Sequence, residues 1–242
     1  MAHMSELSWP QAEEELAAGT VILPIGALEA HGPHLPLGTD NYIAQALANK
    51  LAEEIKAPLL PLLPLGQVWS LQNFPGSISL STETLISLLV DIAGSLAEQD
   101  VELLVIVNGH FGNRQVLKEA ARKVREKYKI KILRFTHPGL SELEAKYIDS
   151  SRPHENYLHA EEIETSLMLN IKEELVDMKQ AIKVYPDFPV YFDSYSIPWE
   201  EISPQGVLGD PTSASKMKGK QLLQGIADNM KQIVLAFRKE EL

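Results

Sequence analysis

The chain has 242 residues, of which 45% are hydrophobic and 23% charged, and it contains no cysteine. These values belong to a folded globular protein and exclude wholesale disorder, while the missing thiols exclude disulfides, thiolate metal sites and a cysteine nucleophile. Thirty-three acidic against 22 basic residues leave a formal charge of −11, which repels a phosphate backbone and argues against general nucleic-acid binding.

Length over ~150 residues gives roughly 1.6 domains, and with no convincing linker a single domain over residues 4–242 is expected. Apolar strand-like runs alternate with helix-period segments. Residues 21–25 (VILPI) predict a buried strand followed by a loop rich in Gly, Pro and His. Residues 41–55 carry apolar side chains at 43, 44, 47, 48, 51 and 55, which is a helical spacing. The apolar run 58–65 is broken by prolines, so a strand there is short or irregular. Ser81 is placed to cap a helix from residue 82 to about 98. Residues 103–107 (LLVIV), 114–128 and 130–135 then form a strand–helix–strand unit, and that crossover implies parallel strands with helices packed on the sheet. Helices are expected at 159–171 and 215–238, with irregular structure over residues 184–210. The fold expected is α/β, with a mostly parallel sheet between helical layers. Apolar runs fall short of the ~18 residues a membrane helix needs, and no basic segment leading into an apolar one opens the chain. A cytoplasmic protein, with neither a membrane nor a nucleic acid as partner, is the expectation.

Four of the seven histidines fall in three polar clusters: GALEAHGPHLPLGTD (26–40), NGHFGN (108–113) and HAEEIETS (159–166). The first two follow predicted strands, and open α/β sheets bind ligands beyond the carboxyl ends of their strands. Glu29 and His31 are spaced i, i+2, so in extended chain they leave the same face. The Asp40 carboxylate is able to bridge two ions, but it also directly precedes a helix, where Asp is a preferred cap. His34 is equally a loop-packing residue. His110 lies between two glycines. On a helix starting at 159, His159, Glu162, Ile163 and Ser166 share a face, and Glu161 and Glu164 point away. Glu29, His31, Asp40, His110 and Glu162 thus offer the N/O ligands of a two-metal hydrolase, suited to Zn, Mn, Fe or Co. Each cluster alone also reads as an ordinary turn or a charged helix start.

The segments LPIGALEAHGPHLPLGTD, NGHFGN and HAEEIETS resemble the signature motifs of the creatininase (creatinine amidohydrolase) family, and FPGSISLSTETL and GVLGDPTSAS resemble further family segments. The likeness runs in order from about residue 20 to about residue 235. It implies a three-layer α/β/α sandwich, a centre of two divalent metal ions (Zn, Mn or Fe) and a homo-hexamer acting on a small-molecule substrate. By motif matching, Glu29, Asp40 and His110 hold one metal, and His31, Asp40 and a further carboxylate hold the other. Creatinine-cleaving members take that carboxylate from the position of Gly112, so here the resemblance points to Glu162. His159 matches the catalytic histidine that passes a proton to the leaving nitrogen. Leu158 and Phe111 stand where those members carry an acidic residue and a tyrosine, which moves the expectation away from creatinine itself. Trp69 and Phe111 are the candidate substrate contacts, although Trp69 also suits packing between subunits. The function expected is hydrolysis of a C–N bond in a small cyclic amide, amidine or formamide. The alternatives are C–C cleavage of a cyclic keto-inositol, or a binding protein without turnover.

Overall fold

Residues 2–241 are described in a computed structural model. After a first helix, α1 (Trp9–Leu16), the chain alternates β1 (Thr20–Ile25), α2 (Thr39–Ile55), α3 (Thr82–Ala97), β2 (Leu103–Asn108), α4 (Arg114–Lys127) and β3 (Lys131–Phe135). Helices α5 (Leu140–Tyr147), α6 (Glu162–Ile171) and α7 (Lys216–Glu241) follow. The strands pair in parallel in the order β1–β2–β3.

Strand periodicity of two divides the core between two faces. Ile22, Leu103, Val105 and Val107 pack with residues of α2, α6 and α7, whereas Val21, Leu23, Ile25, Leu104 and Ile106 pack with α3 and α4. Because both faces are covered, β1 and β2 are buried at every position, and continuous apolar runs suit such strands better than alternation does. The result is a three-layer α/β/α sandwich.

Segment 58–64 runs beside the free edge of β1. Its backbone bonds pair Pro58 and Leu60 with Ile22, and Leu63 with Pro24 and Gly26. Prolines 58, 61 and 64 have no N–H to donate, so the pairing stays at isolated bridges. From β1 the chain therefore crosses by α2 to one side of that strand, and from segment 58–64 it crosses by α3 to β2 on the other side. This reversal opens a crevice at the carboxyl ends of β1 and β2, from which the first two polar clusters emerge.

The predicted strands and most helices fall within a few residues of the observed ones. Ser81 caps α3 by accepting the Thr84 amide at 3.2 Å. Helix α6, however, begins at Glu162 and not at His159. Residues 184–210 hold one short 3-10 turn, Trp199–Glu201, and isolated bridges at Val184, Leu208 and Gly209. No helix among the described residues is long and apolar enough to cross a membrane. Leu104 is fully buried at the centre of the sheet; Leu104→Ala is expected to lower the unfolding free energy by about 2–5 kcal/mol, seen as a lower urea midpoint at unchanged slope.

Candidate metal centre

Five side chains from four chain segments converge in the crevice. Glu29 and His31 stand on the loop after β1, where the Glu29 amide bonds Leu37 O at 3.0 Å and the Ala30 amide bonds Ser77 Oγ at 3.0 Å. Asp40 sits in the first turn of α2, behind an N-cap at Gly38. It does not cap the helix, and its carboxylate turns to the loops. His110 follows β2, and Glu164 is the third residue of α6. All five are buried.

Asp40 is shared between the two histidines. Its Oδ1 lies 3.3 Å from His31 Nε2 and its Oδ2 lies 3.0 Å from His110 Nδ1. Glu29 Oε1 is 3.2 Å from His110 Nδ1, and Glu164 Oε2 is 3.9 Å from His31 Nε2. Three overlapping groups therefore have ligand spacing: Glu29–Asp40–His110, His31–Asp40–Glu164 and Glu29–His31–His159. The outer nitrogen of each histidine faces a backbone carbonyl: His31 Nδ1 with Glu29 O at 3.1 Å, His110 Nε2 with Gln67 O at 2.8 Å, and His159 Nε2 with Ala30 O at 2.7 Å. Such bonds fix the ring and the tautomer, leaving the inner nitrogen as a lone pair, as metal-binding histidines require.

Two glycines make this approach possible. A Cβ on Gly109 would collide with the Asp40 carbonyl, so only glycine lets the start of α2 close on the end of β2. A Cβ on Gly112 would strike His110 Nε2 and come within 2.7 Å of Gln67 O, the pair that orients His110. The loop is otherwise held by asparagines: Asn108 Nδ2 bonds His110 O at 2.6 Å, and Asn113 Nδ2 bonds Gly26 O at 3.0 Å.

Three buried carboxylates meet here, and among the described residues none of them pairs with a lysine or arginine; the cationic groups within ion-pair distance are imidazoles. Glu29 Oε2, Asp40 Oδ2 and His31 Nε2 are buried without a hydrogen-bond partner. Burial of uncompensated carboxylates is costly, and orphaned N and O atoms pointing at one another are what divalent cations satisfy. The residues present fit such ions. Without a cation, protons hold the charge. Burial opposes a charged ring at His31, but Asp40, Glu164 and Glu29 together push it up to about 10. Against the same burial penalty, Glu29 and Asp40 raise His110 well above the usual histidine range. Burial raises Glu29 and brings Glu164 up to about 7, while Asp40 is held low by His31 and His110 in spite of its burial.

One residue expected at this centre is absent from it. The Glu162 carboxylate faces away, accepting the amides of Asp149 and Ser150 (2.8 Å to Ser150) and pairing with Lys218. The physical reason is the local backbone. His159 lies in an antiparallel bridge to Leu208, Ala160 is left-handed with φ 49°, and the Glu161 carboxylate caps α6 by accepting the Ile163 amide at 2.9 Å. A helical wheel drawn from His159 therefore does not apply. Within α6, Glu164 lies roughly 200° around from Glu162, on the face that meets Asp40. Trp69 lies outside the lining of the cavity beside the centre, to which its neighbours Ser70 and Leu71 contribute, and is 39% exposed. Trp199, in the stretch 184–210 where no regular motif marks it, lines that cavity together with Phe111 and His159. His34 is a packing residue, its Nε2 2.9 Å from Thr165 Oγ1.

The creatininase family profile, described as creatinine amidohydrolase, matches residues 5–234. The chain is 31% identical over 258 residues to the creatinine amidohydrolase of Pseudomonas putida, covering 95% of this chain and 96% of that one. It is 31% identical over 223 residues to the mycofactocin precursor peptide peptidase of Mycolicibacterium smegmatis, covering 87% and 84%. The solved structure "Creatininase Mn" superposes with a TM-score of 0.86 at 27% identity, over 99% of this chain and 98% of that one.

Glu164→Gln is expected to lower the number of divalent ions bound per chain, measured by elemental analysis. Glu162→Gln is expected to leave that number unchanged while destabilising the fold by about 1–3 kcal/mol, since the charge-assisted contact to Lys218 is lost although Lys218 keeps Asp149 and Ser213 O. Cation uptake displaces the protons on His31 and His110, so affinity rises with pH through the neutral range and binding acidifies a weakly buffered solution, readable with an indicator dye.

Proposed function

The chain belongs to the creatininase family, whose hydrolysis of carbon–nitrogen bonds with a divalent metal it shares, and we propose that it does so with two ions on a small amide, amidine or formamide. The observation that carries this reading is Asp40, which turns a separate carboxylate oxygen to each of two histidines. Glu29, Asp40 and His110 would hold one ion, and His31, Asp40 and Glu164 the other. Zinc, manganese or iron suits these N/O donors. When bound, two such ions would supply an activated water and Lewis acidity toward the substrate carbonyl or amidine carbon.

His159 serves as the general acid/base. It is buried, and the bond from Nε2 to Ala30 O leaves Nδ1 facing the centre, 3.9 Å from Glu29 Oε1 and 4.0 Å from Glu164 Oε2. Burial and the neighbouring His31 hold it well below the usual histidine range, so the ring starts neutral and Nδ1 is free to take a proton and return it to the leaving nitrogen. Trp199 packs edge-on to the His159 ring at 5.4 Å. Phe111 forms part of the substrate wall. The peptidase relative widens the bond class to be tested to peptide amides.

The test is a panel of creatinine, formamides and short peptides, run on protein reconstituted separately with zinc, manganese and iron. Turnover of a C–N substrate and about two ions per chain are expected. His159→Ala should keep the ions and lose roughly 10²–10⁴-fold in kcat, whereas Asp40→Asn should lose ions and turnover together. Undiminished turnover in His159→Ala refutes the acid/base role, and a single ion per chain refutes the bridging role of Asp40.

A further inference from the structure

Beside the cavity of about 160 Å³ at the metal centre lies a second, of about 290 Å³. The two share a wall of Phe111, Arg114, Asn156, Tyr157, Leu158 and Trp199. Beyond that wall the second cavity is lined by Thr136, His137 and Arg152 among others, and three of its polar groups have bonding capacity that the protein does not use.

His137 is 3% exposed, and neither ring nitrogen has a hydrogen-bond partner. Its backbone is left-handed, φ 47°, an unfavourable conformation for a side chain other than glycine. Burial holds its pKa down, at about 4, so the ring is neutral and carries one N–H to donate. Thr136 Oγ1 accepts from Asn108 Nδ2 at 2.9 Å, and its own proton remains to be given. Arg114 opens α4, with its guanidinium carbon 5.7 Å from the centroid of the Phe111 ring; His137 meets that ring edge-on at 5.6 Å. Of the two arginines that line this cavity, Arg152 holds Glu144, whereas Arg114 pairs with no carboxylate among the described residues. A cation and two neutral donors thus surround one cavity that adjoins the reaction centre.

We propose that this second cavity is a specificity subsite for a carboxylate at the far end of the substrate, with Arg114 as its charged anchor and Thr136 and His137 as neutral donors. The inference rests on the metal-centre reading above and narrows its substrate class to amides that carry a free carboxylate. The exposed Glu142 and Glu155 also line the cavity. Their field disfavours a dianion, so one carboxylate held by direct contacts fits better than a phosphate.

The test uses metal-loaded protein and pairs of metal-binding hydroxamates: succinic, glutaric and adipic monohydroxamic acids, each beside the analogue whose free acid is a carboxamide. Affinity is read by calorimetry. In the wild type, at least one acid should bind about tenfold or more tighter than its carboxamide, as a charge-assisted contact implies. Arg114→Gln should weaken the acid far more than the carboxamide and so remove most of that difference at unchanged metal content, and Thr136→Val should reduce it. Equal binding of acid and carboxamide at all three lengths overturns the subsite, and an acid preference that survives Arg114→Gln overturns the anchor. If no hydroxamate binds with either ending, the metal-centre reading fails and this inference fails with it, an outcome distinct from equal binding.

Discussion

The burial of three carboxylates, Glu29, Asp40 and Glu164, whose ion-pair partners among the described residues are imidazoles, is the constraint to which the rest of the molecule answers. Such a cluster is unfavourable in a protein interior unless positive charge is brought to it. The loops around it are accordingly built to resist collapse. Each histidine is pinned through its outer nitrogen to a backbone carbonyl, and Glu29 is held by the bond from its amide to Leu37. The inner donor atoms are left facing one another with their hydrogen-bonding capacity unused, which is the condition a cation relieves.

The sheet topology explains why these residues meet at all. Chain reversal between segment 58–64 and β2 opens the crevice at the ends of β1 and β2, and Gly109 lets α2 close onto it. The far side is supplied by α6, whose start is fixed from outside the centre. Glu161 caps the helix, and Glu162 binds Lys218 of α7 together with the amides of Asp149 and Ser150. With Glu162 anchored on one face, Glu164 is turned inward on the other. Neighbouring glutamates in one motif thus divide into a cap, a structural anchor and a candidate ligand, according to the direction each side chain takes from the backbone.

Chemistry at the centre depends equally on what stands beside it. His159 is delivered by a bridge to Leu208 and not by the helix, and its ring packs against His31 at 4.4 Å and Trp199 at 5.4 Å. The wall of Phe111 and Trp199 separates the centre from the adjoining polar cavity. Residues of the irregular stretch 184–210 therefore shape the site as much as the regular elements do.

Local pattern made much of this visible in advance. Apolar runs such as LLVIV give strands because both faces of the sheet are covered, and the crossover unit dictates parallel pairing. Glu29, His31, Asp40 and His110 were identifiable because loops at strand ends concentrate functional side chains, and the motif resemblance assigned them shared work. The roles of Glu162, Glu164, Trp69 and Trp199 were not legible in this way. Whether a helix begins at 159 or at 162 turns on the left-handed Ala160 and the bridge to Leu208, contacts made 49 positions apart. What the sequence by itself determined was the layered fold, which follows from short-range periodicity, and the four residues Glu29, His31, Asp40 and His110 that the loops at the strand ends bring to the crevice. Only the tertiary structure decided which carboxylate and which aromatic face the centre, because side-chain direction depends on backbone geometry that distant segments impose.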